Sequence, residues 1–371
     1  MNRLDQHQKS LDFCTYCPKL CSFACPVSNA EHRETVTPWA KMTLARQLRE
    51  GFVSVDQAST DPLNHCLGCR LCTTYCKHKI EVGEALTQAR AWLNDRNVIR
   101  PEFKKLRDTF MATGNPYGGD VASVLHEMLP AERFAREAEV VFFPGCATAL
   151  KRPGEIGRVF SILDKLRVDF VACYEGPEWC CGLPLRHAGL MQDFENHLRR
   201  LAQRLMDHKL VLTSCPACTY TLKVLAPEIG INLSGRVMHV VEFLEPYLKN
   251  QVFSHRLEKA AVYHDASYMG RYLGITRSPK AILERLYDET PKEFVWNGAS
   301  AYPSGSTGIY PLLFPEESKA IARERLRQAR EVGAEVIVTT SPAAASALES
   351  AAAVGDPESR TLIEQIDKCL E

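Results

Sequence analysis

From Thr37 to Gly51 the chain reads TPWAKMTLARQLREG, with apolar Met42, Leu44, Ala45 and Leu48 at helical spacing and Gly51 placed to stop the helix. VGEALTQARAWLNDRNV, from Val82 to Val98, predicts a second helix, and no strand pattern occurs between them. Further along, the pattern changes. EVVFF (ending at Phe143) and KLVLT (ending at Thr213) are short apolar strands. FENHLRRLAQRLMDHK carries Phe194, Leu198, Leu201, Ala202 and Leu205 on one helical face, its arginines falling on the solvated side. Alternating strand and helix predicts a small α/β unit whose site lies at the carboxyl ends of its strands. The unit then recurs: VLTSCPACTYTL (Val211–Leu222) is echoed by VIVTTSPAAASAL (Val336–Leu348). GNPYGGD (Gly114–Asp120) reads as a turn-rich bridge, and SALESAAAVGDPESR (Ser346–Arg360) as a surface helix and a turn. The expected fold is α+β and multi-domain: a helical domain over 1–100, a helical linker over 101–136, an α/β unit over 137–250 and its repeat over 251–371.

The chain has 371 residues and a formal net charge of zero, so no basic field recommends nucleic acid as a partner. Its 45% hydrophobic and 24% charged residues are those of a globular protein. MNRLDQHQKSLDF has no apolar core for a signal peptide, and no apolar run reaches the roughly 18 residues needed to cross a bilayer. A cytoplasmic location is expected, with any membrane contact made through a partner. Fifteen cysteines in such a chain point to metal or redox chemistry rather than disulfides. They are grouped: eight within 14–76, six within 146–218, and Cys369 alone, which reads as incidental.

The first eight form two runs, Cys14, Cys17, Cys21, Cys25 and Cys66, Cys69, Cys72, Cys76. The second run has the C-x2-C-x2-C-x3-C spacing that aims three thiolates at one iron–sulfur cube, while the fourth completes a neighbouring cluster. Two 4Fe–4S clusters are therefore expected, one on Cys14, Cys17, Cys21 and Cys76, the other on Cys66, Cys69, Cys72 and Cys25. Three residues rather than two separate Cys17 from Cys21, and Lys77 follows Cys76 where proline is usual; neither change removes a ligand. A pair of structural zinc sites is the plainer alternative, and it leaves the interlocked fours unexplained. With its helices, this region resembles the α-helical ferredoxin domain of fumarate and succinate oxidoreductase iron–sulfur subunits and of heterodisulfide reductases.

The middle of the chain carries FFPGC ending at Cys146, EWCCGLP with Cys180 and Cys181, and TSCPAC with Cys215 and Cys218. This series resembles the CCG, or cysteine-rich, domain of heterodisulfide reductase catalytic subunits and of glycolate, lactate and glycerol-3-phosphate oxidoreductase iron–sulfur subunits. The resemblance implies a third centre on Cys146, Cys180, Cys181, Cys215 and Cys218: a non-cubane 4Fe–4S cluster as in heterodisulfide reductases, or zinc or a conventional cluster as in some relatives. Cys173 reads as a buried small hydrophobe, Trp179 as a cover over the site, and His187 as a helix-start or supporting residue.

The repeat lacks the cysteines. In AAVYHDASYMGR the family's HDPC and GR positions hold His264, Asp265, Gly270 and Arg271, but Ser267 replaces the cysteine. Cys180 and Cys181 fall on Ser306 and Thr307, or on Pro303 and Ser304 under a second alignment, and Cys215 and Cys218 fall on Ser341 and Ala344. Hydroxyls are too basic to replace thiolates on iron, so this half is a degenerate CCG domain, and symmetric splitting of a disulfide between two clusters is unavailable. The chain reads as the iron–sulfur electron-transfer subunit of a larger oxidoreductase, relaying electrons between a flavoprotein partner and another acceptor. The alternative is a catalytic subunit reducing a disulfide, a quinone or another small acceptor at the single CCG centre, with His264, Asp265 and Arg271 as candidate catalytic residues.

Overall fold

The computed structural model describes residues 3–134 and 137–370. Its first hundred residues are helical, without strands among the described residues. The helix Pro38–Glu50 starts where the Thr37 side chain accepts from Ala40 N, and it ends at Gly51. It buries Met42, Ala45 and Leu48 against Ala85, Leu86, Ala89 and Trp92 of the helix Val82–Asn94. Two further helices, Pro101–Thr113 and Val121–Met128, lead to the α/β region, with 114–120 as a loop between them.

The first α/β unit has four parallel strands: β1 (Val140–Phe143), β2 (Val171–Cys173), β3 (Leu210–Thr213) and β4 (Val237–His239), in the order β2-β1-β3-β4. Val140 pairs with Val171 on one side and Leu210 on the other. The second unit keeps this order with three strands, β5 (Ala261–His264), β6 (Val336–Thr339) and β7 (Glu358–Thr361). Its counterpart of β2 has shrunk to a bridge between Val262 and Lys292. β7 corrects the expectation of a turn over this segment. Its burial alternates, Ser359 and Thr361 inward, Glu358 and Arg360 outward, so no apolar signal announces it.

The two units share one core. Phe142, Leu212 and Leu244 of the first lie in the same apolar cluster as Tyr263, Val338, Leu362 and Ile366 of the second. Polar contacts edge this seam: Arg152 reaches Glu349 at 2.7 Å and Glu364 at 3.1 Å, and Ser161 Oγ donates to Asp367 at 2.8 Å. The structure is thus an α+β arrangement of a helical ferredoxin-like domain and two CCG-type α/β units. No helix among the described residues is long and apolar enough to cross a membrane.

Candidate functional site

The carboxyl ends of β1, β3, β5 and β6 converge on one cavity of about 110 Å³ between the two units. Parallel strands deliver the residues that follow them to one edge of the sheet, where the following helices begin. From the first unit, Cys146, Cys180, Cys181, Cys215 and Cys218 all line this cavity. Each is at least nine-tenths buried. The thiols also touch one another: Cys180 hydrogen-bonds with Cys146 and Cys181, and Cys218 with Cys181 and Cys215. Burial, and then these neighbours, push Cys180 up; thiol hydrogen bonds from Cys180 and Cys218 hold Cys181 down.

Gly145 makes room for this group. Its φ is +75°, and a Cβ there would stand 2.8 Å from Cys218 Sγ. The backbone has thus left a space that only a hydrogen fills, beside a buried thiol. Among the described residues no three His, Cys, Asp or Glu side chains surround a single-ion point. The five thiols line one cavity, and thiolates are the donors that an iron–sulfur cluster would take there. The donor set and the cradle fit an iron–sulfur centre.

The second unit supplies the opposite wall with the residues that stand in for the cysteines. Ser267, Ser304, Ser306, Thr307, Ser341 and Ala344 line the same cavity. Gly182 has a positive φ of 84°, and so do Gly305 (81°) and Gly308 (71°), so both alignments place a left-handed glycine after the positions that match Cys180 and Cys181. The hydroxyls have found local work. Ser341 caps the helix Pro342–Ala351 by accepting from Ala344 N at 3.3 Å. Ser304 and Ser306 hydrogen-bond each other at 2.9 Å.

His264, Asp265 and Arg271, the candidate catalytic residues, are not among those that line the cavity. His264 is buried, accepts from Arg325 Nε at 3.2 Å, and is held neutral by burial and by Arg325 and Arg271. Asp265 accepts from Gly298 N at 2.9 Å. Arg271 turns toward the helical domain: its Nε donates to Cys69 O at 2.5 Å and its NH1 to Ala301 O at 2.7 Å. Trp179 likewise packs edge-on against Tyr174, 5.8 Å between centroids, rather than over the thiols. The cover is Tyr117, which, with Pro116, lines the cavity while remaining 39% exposed. Its loop is pinned by buried Asn115, which donates to Gly119 O at 2.8 Å and to Thr113 O at 3.0 Å. The glycine-rich bridge therefore belongs to the site.

His187 sits at the end, not the start, of the helix Leu183–His187 and lines the cavity. Its Nε2 shares a hydrogen bond with the Tyr268 hydroxyl at 2.9 Å, and burial with nearby Arg90 and Arg186 holds it down to about 3. Cys173 lies in the apolar core on β2, and Cys369 is also fully buried, its Sγ 3.8 Å from Leu286 O. Cys369 is a core residue, not an incidental one.

In the helical domain the other eight thiols fall into two neighbourhoods. Cys14 is pushed up to about 12 by burial and by Cys21, Cys76 and Cys17. Cys72 is raised by burial, by Cys69, Cys25 and Cys66, and last by Cys21 of the first group. The second neighbourhood abuts the α/β units: Tyr272 Oη donates to Gly68 O at 2.5 Å, and Arg90 Nε donates to His187 O at 2.6 Å. A Cβ on Gly308 would meet Leu67 O at 2.8 Å, so the loop between Cys66 and Cys69 lies directly against the cavity wall.

Helical domain, thiol-lined cavity and repeated α/β units together define an iron–sulfur protein with a dicluster domain and two cysteine-rich domains. Residues 10–80 match the 4Fe-4S dicluster domain family, and residues 140–223 and 261–348 each match the cysteine-rich (CCG) domain family, so the chain carries these domains. Among curated relatives, the chain is 26% identical to a subunit of the dihydromethanophenazine:CoB–CoM heterodisulfide reductase of Methanosarcina acetivorans, over 90% of this chain and 87% of that one. It is 24% identical to a subunit of the fumarate reductase (CoM/CoB) of Methanothermobacter marburgensis, over 91% of this chain and 67% of that one. Lactate utilization protein A of Bacillus licheniformis is 23% identical over 43% of this chain and 69% of its own length. The chain is thus similar to heterodisulfide reductase subunits over most of its length.

Proposed function

We propose that the chain is the electron-transfer subunit of a larger oxidoreductase, holding three iron–sulfur centres in series. One 4Fe–4S site is assigned to Cys14, Cys17, Cys21 and Cys76, a second to Cys25, Cys66, Cys69 and Cys72, and a third to Cys146, Cys180, Cys181, Cys215 and Cys218. The working domain divisions are 1–100, 101–136, 137–250 and 251–371. Bound there, the clusters would supply one-electron transfer. The residues of the chain space the centres, exclude water and fix their order. Arg271 and Tyr272 tie the loop of the second thiol set to the thiol-free unit, and Arg90 ties the helical domain to His187 in the unit that carries the third. Tyr117 and the hydroxyl wall enclose the third.

The observation that supports this reading is the contact of the Cys66–Cys69 loop with the wall of the thiol cavity at Gly308, which puts the second thiol set next to the cavity of the third. A flavoprotein is the proposed donor or acceptor at one end. The catalytic alternative loses support, because its three named residues turn away from the cavity. Anaerobic iron, sulfide and zinc analysis with EPR tests the proposal. About 12 irons, no zinc, and a signal distinct from reduced cubanes support it; about 8 irons with one zinc make the third site structural and end the relay at the helical domain.

A further inference from the structure

The three thiol groups differ in exposure. Cys14, Cys17, Cys21 and Cys76 are all half-buried; in the second group Cys66 and Cys72 are half-buried but Cys25 and Cys69 buried, and all five thiols of the cavity are buried. The first group is the one nearest solvent. Beside it the surface is apolar: Phe13 is 41% exposed, Tyr16 77% and Leu20 59%. Cys17 itself opens into a groove of about 790 Å³, lined also by Lys9, Phe13, Tyr16, Pro18 and His78. The groove wall is ordered, with Phe13 stacked on His78 at 4.5 Å and the Lys9 ammonium 5.8 Å from the Phe13 ring.

Charge sets the character of this face. Its two carboxylates are already paired, Asp5 with Arg49 and Asp12 with Arg46, each at 2.9 Å. Lys9 lines the groove, and Lys77 and Lys79 flank its His78 in the chain, with Lys79 Nζ donating to Thr74 O at 3.0 Å; all three are exposed and none makes an ion pair among the described residues. On a chain of zero net charge, a local excess of ammonium groups around an apolar groove selects a partner of opposite sign. An apolar centre with a charged rim is also how transient protein interfaces are built.

We propose that this groove is the docking face for an acidic redox protein, whose carboxylate-rimmed prosthetic-group edge seats over Cys17. The proposal rests on the electron-transfer reading above and names the face and partner chemistry that reading leaves open. Lys9, Lys77 and Lys79 steer the encounter, and Phe13, Tyr16 and Leu20 provide the area that excludes water from the contact.

The test uses the full, iron-loaded chain with two probes, an acidic flavodoxin and a basic cytochrome c. Calorimetric titration is expected to show binding of the flavodoxin that weakens about tenfold or more between low and physiological salt. Reduced flavodoxin should transfer electrons to the chain at a rate with the same salt dependence. The triple variant Lys9→Glu, Lys77→Glu, Lys79→Glu should lose about tenfold or more in both readouts, with dithionite reduction unchanged. Phe13→Ala should weaken binding without altering the salt slope. Equal binding by wild type and the triple variant, salt-independent binding, or a preference for the cytochrome overturns the docking face. If dithionite itself reduces no centre, the electron-transfer reading fails instead, and the two failures are told apart.

Discussion

Arg271 and Cys69 lie 202 residues apart, and the guanidinium Nε of one donates to the backbone oxygen of the other at 2.5 Å. The same group holds Ala301 O and Ser267 Oγ, each at 2.7 Å. Arg271 is thus a strut between the helical domain and the thiol-free unit. Replacing it with alanine leaves several buried acceptors without donors and should cost about 3 kcal/mol or more. Chemical denaturation checks this, and hydrogen exchange of the amides around Cys69 should accelerate. A loss below about 1 kcal/mol would show that the strut is dispensable.

Gly145 offers a more selective probe. Gly145→Ala forces a Cβ into the space beside Cys218 at a backbone φ of +75°. The expected outcome is loss of roughly 4 of about 12 irons, with the reduced-cubane EPR signals kept. Retention of full iron would mean that the cradle tolerates a methyl group.

Much of this design is readable from the chain because it is local. Cysteine spacing within ten residues, the apolar face from Phe194 to Leu205 and the consecutive apolar residues of β1 and β3 all carry their own signal. What escapes is long-range or polar. His264 has the look of a reactive group until Arg325, 61 residues on, is seen to occupy its acceptor nitrogen. The strand Glu358–Thr361 has no apolar residue to announce it. Tyr117 gains its place from the Asn115 side chain, which fixes a loop that has no periodicity to read. The serine wall is legible as an absence of cysteines, but that it faces the surviving thiols follows only from the fold.

Glu155 introduces a pH dependence. It is buried in the seam between the two units, and desolvation followed by the charge of Glu364 raises it to about 8. The unfolded chain would ionise it near the ordinary carboxylate value, 4.5. Between pH ~4.5 and ~8 the folded state therefore binds the extra proton, so its stability falls as pH rises through that window. Glu155→Gln should flatten the slope and raise stability at neutral pH by a few kcal/mol at most, on the order of 1.4 kcal/mol per unit of difference removed. Thermal melts at pH 5 and pH 8 for both proteins decide it; an unchanged slope would reassign the titration to another group.

Tyr117 governs access to the thiol cavity. Tyr117→Ala should speed iron release from the third site to a colorimetric chelator several-fold. Tyr117→Phe, which keeps the ring, should behave as wild type. Equal rates in all three would place the way in elsewhere.

The core shared by the two α/β units has a consequence for how such a chain can change over time. The second unit keeps its fold with serine, threonine or alanine at the positions that match the cysteines of the first, since Ser341 caps its helix and Ala344 packs in the interior. The unit as a whole cannot be dropped so easily. Without Tyr263, Val338, Leu362 and Ile366, the other half of its apolar cluster would face water. Ancestry can erase the chemistry of a duplicated half in small, nearly neutral steps while the fold keeps that half hostage.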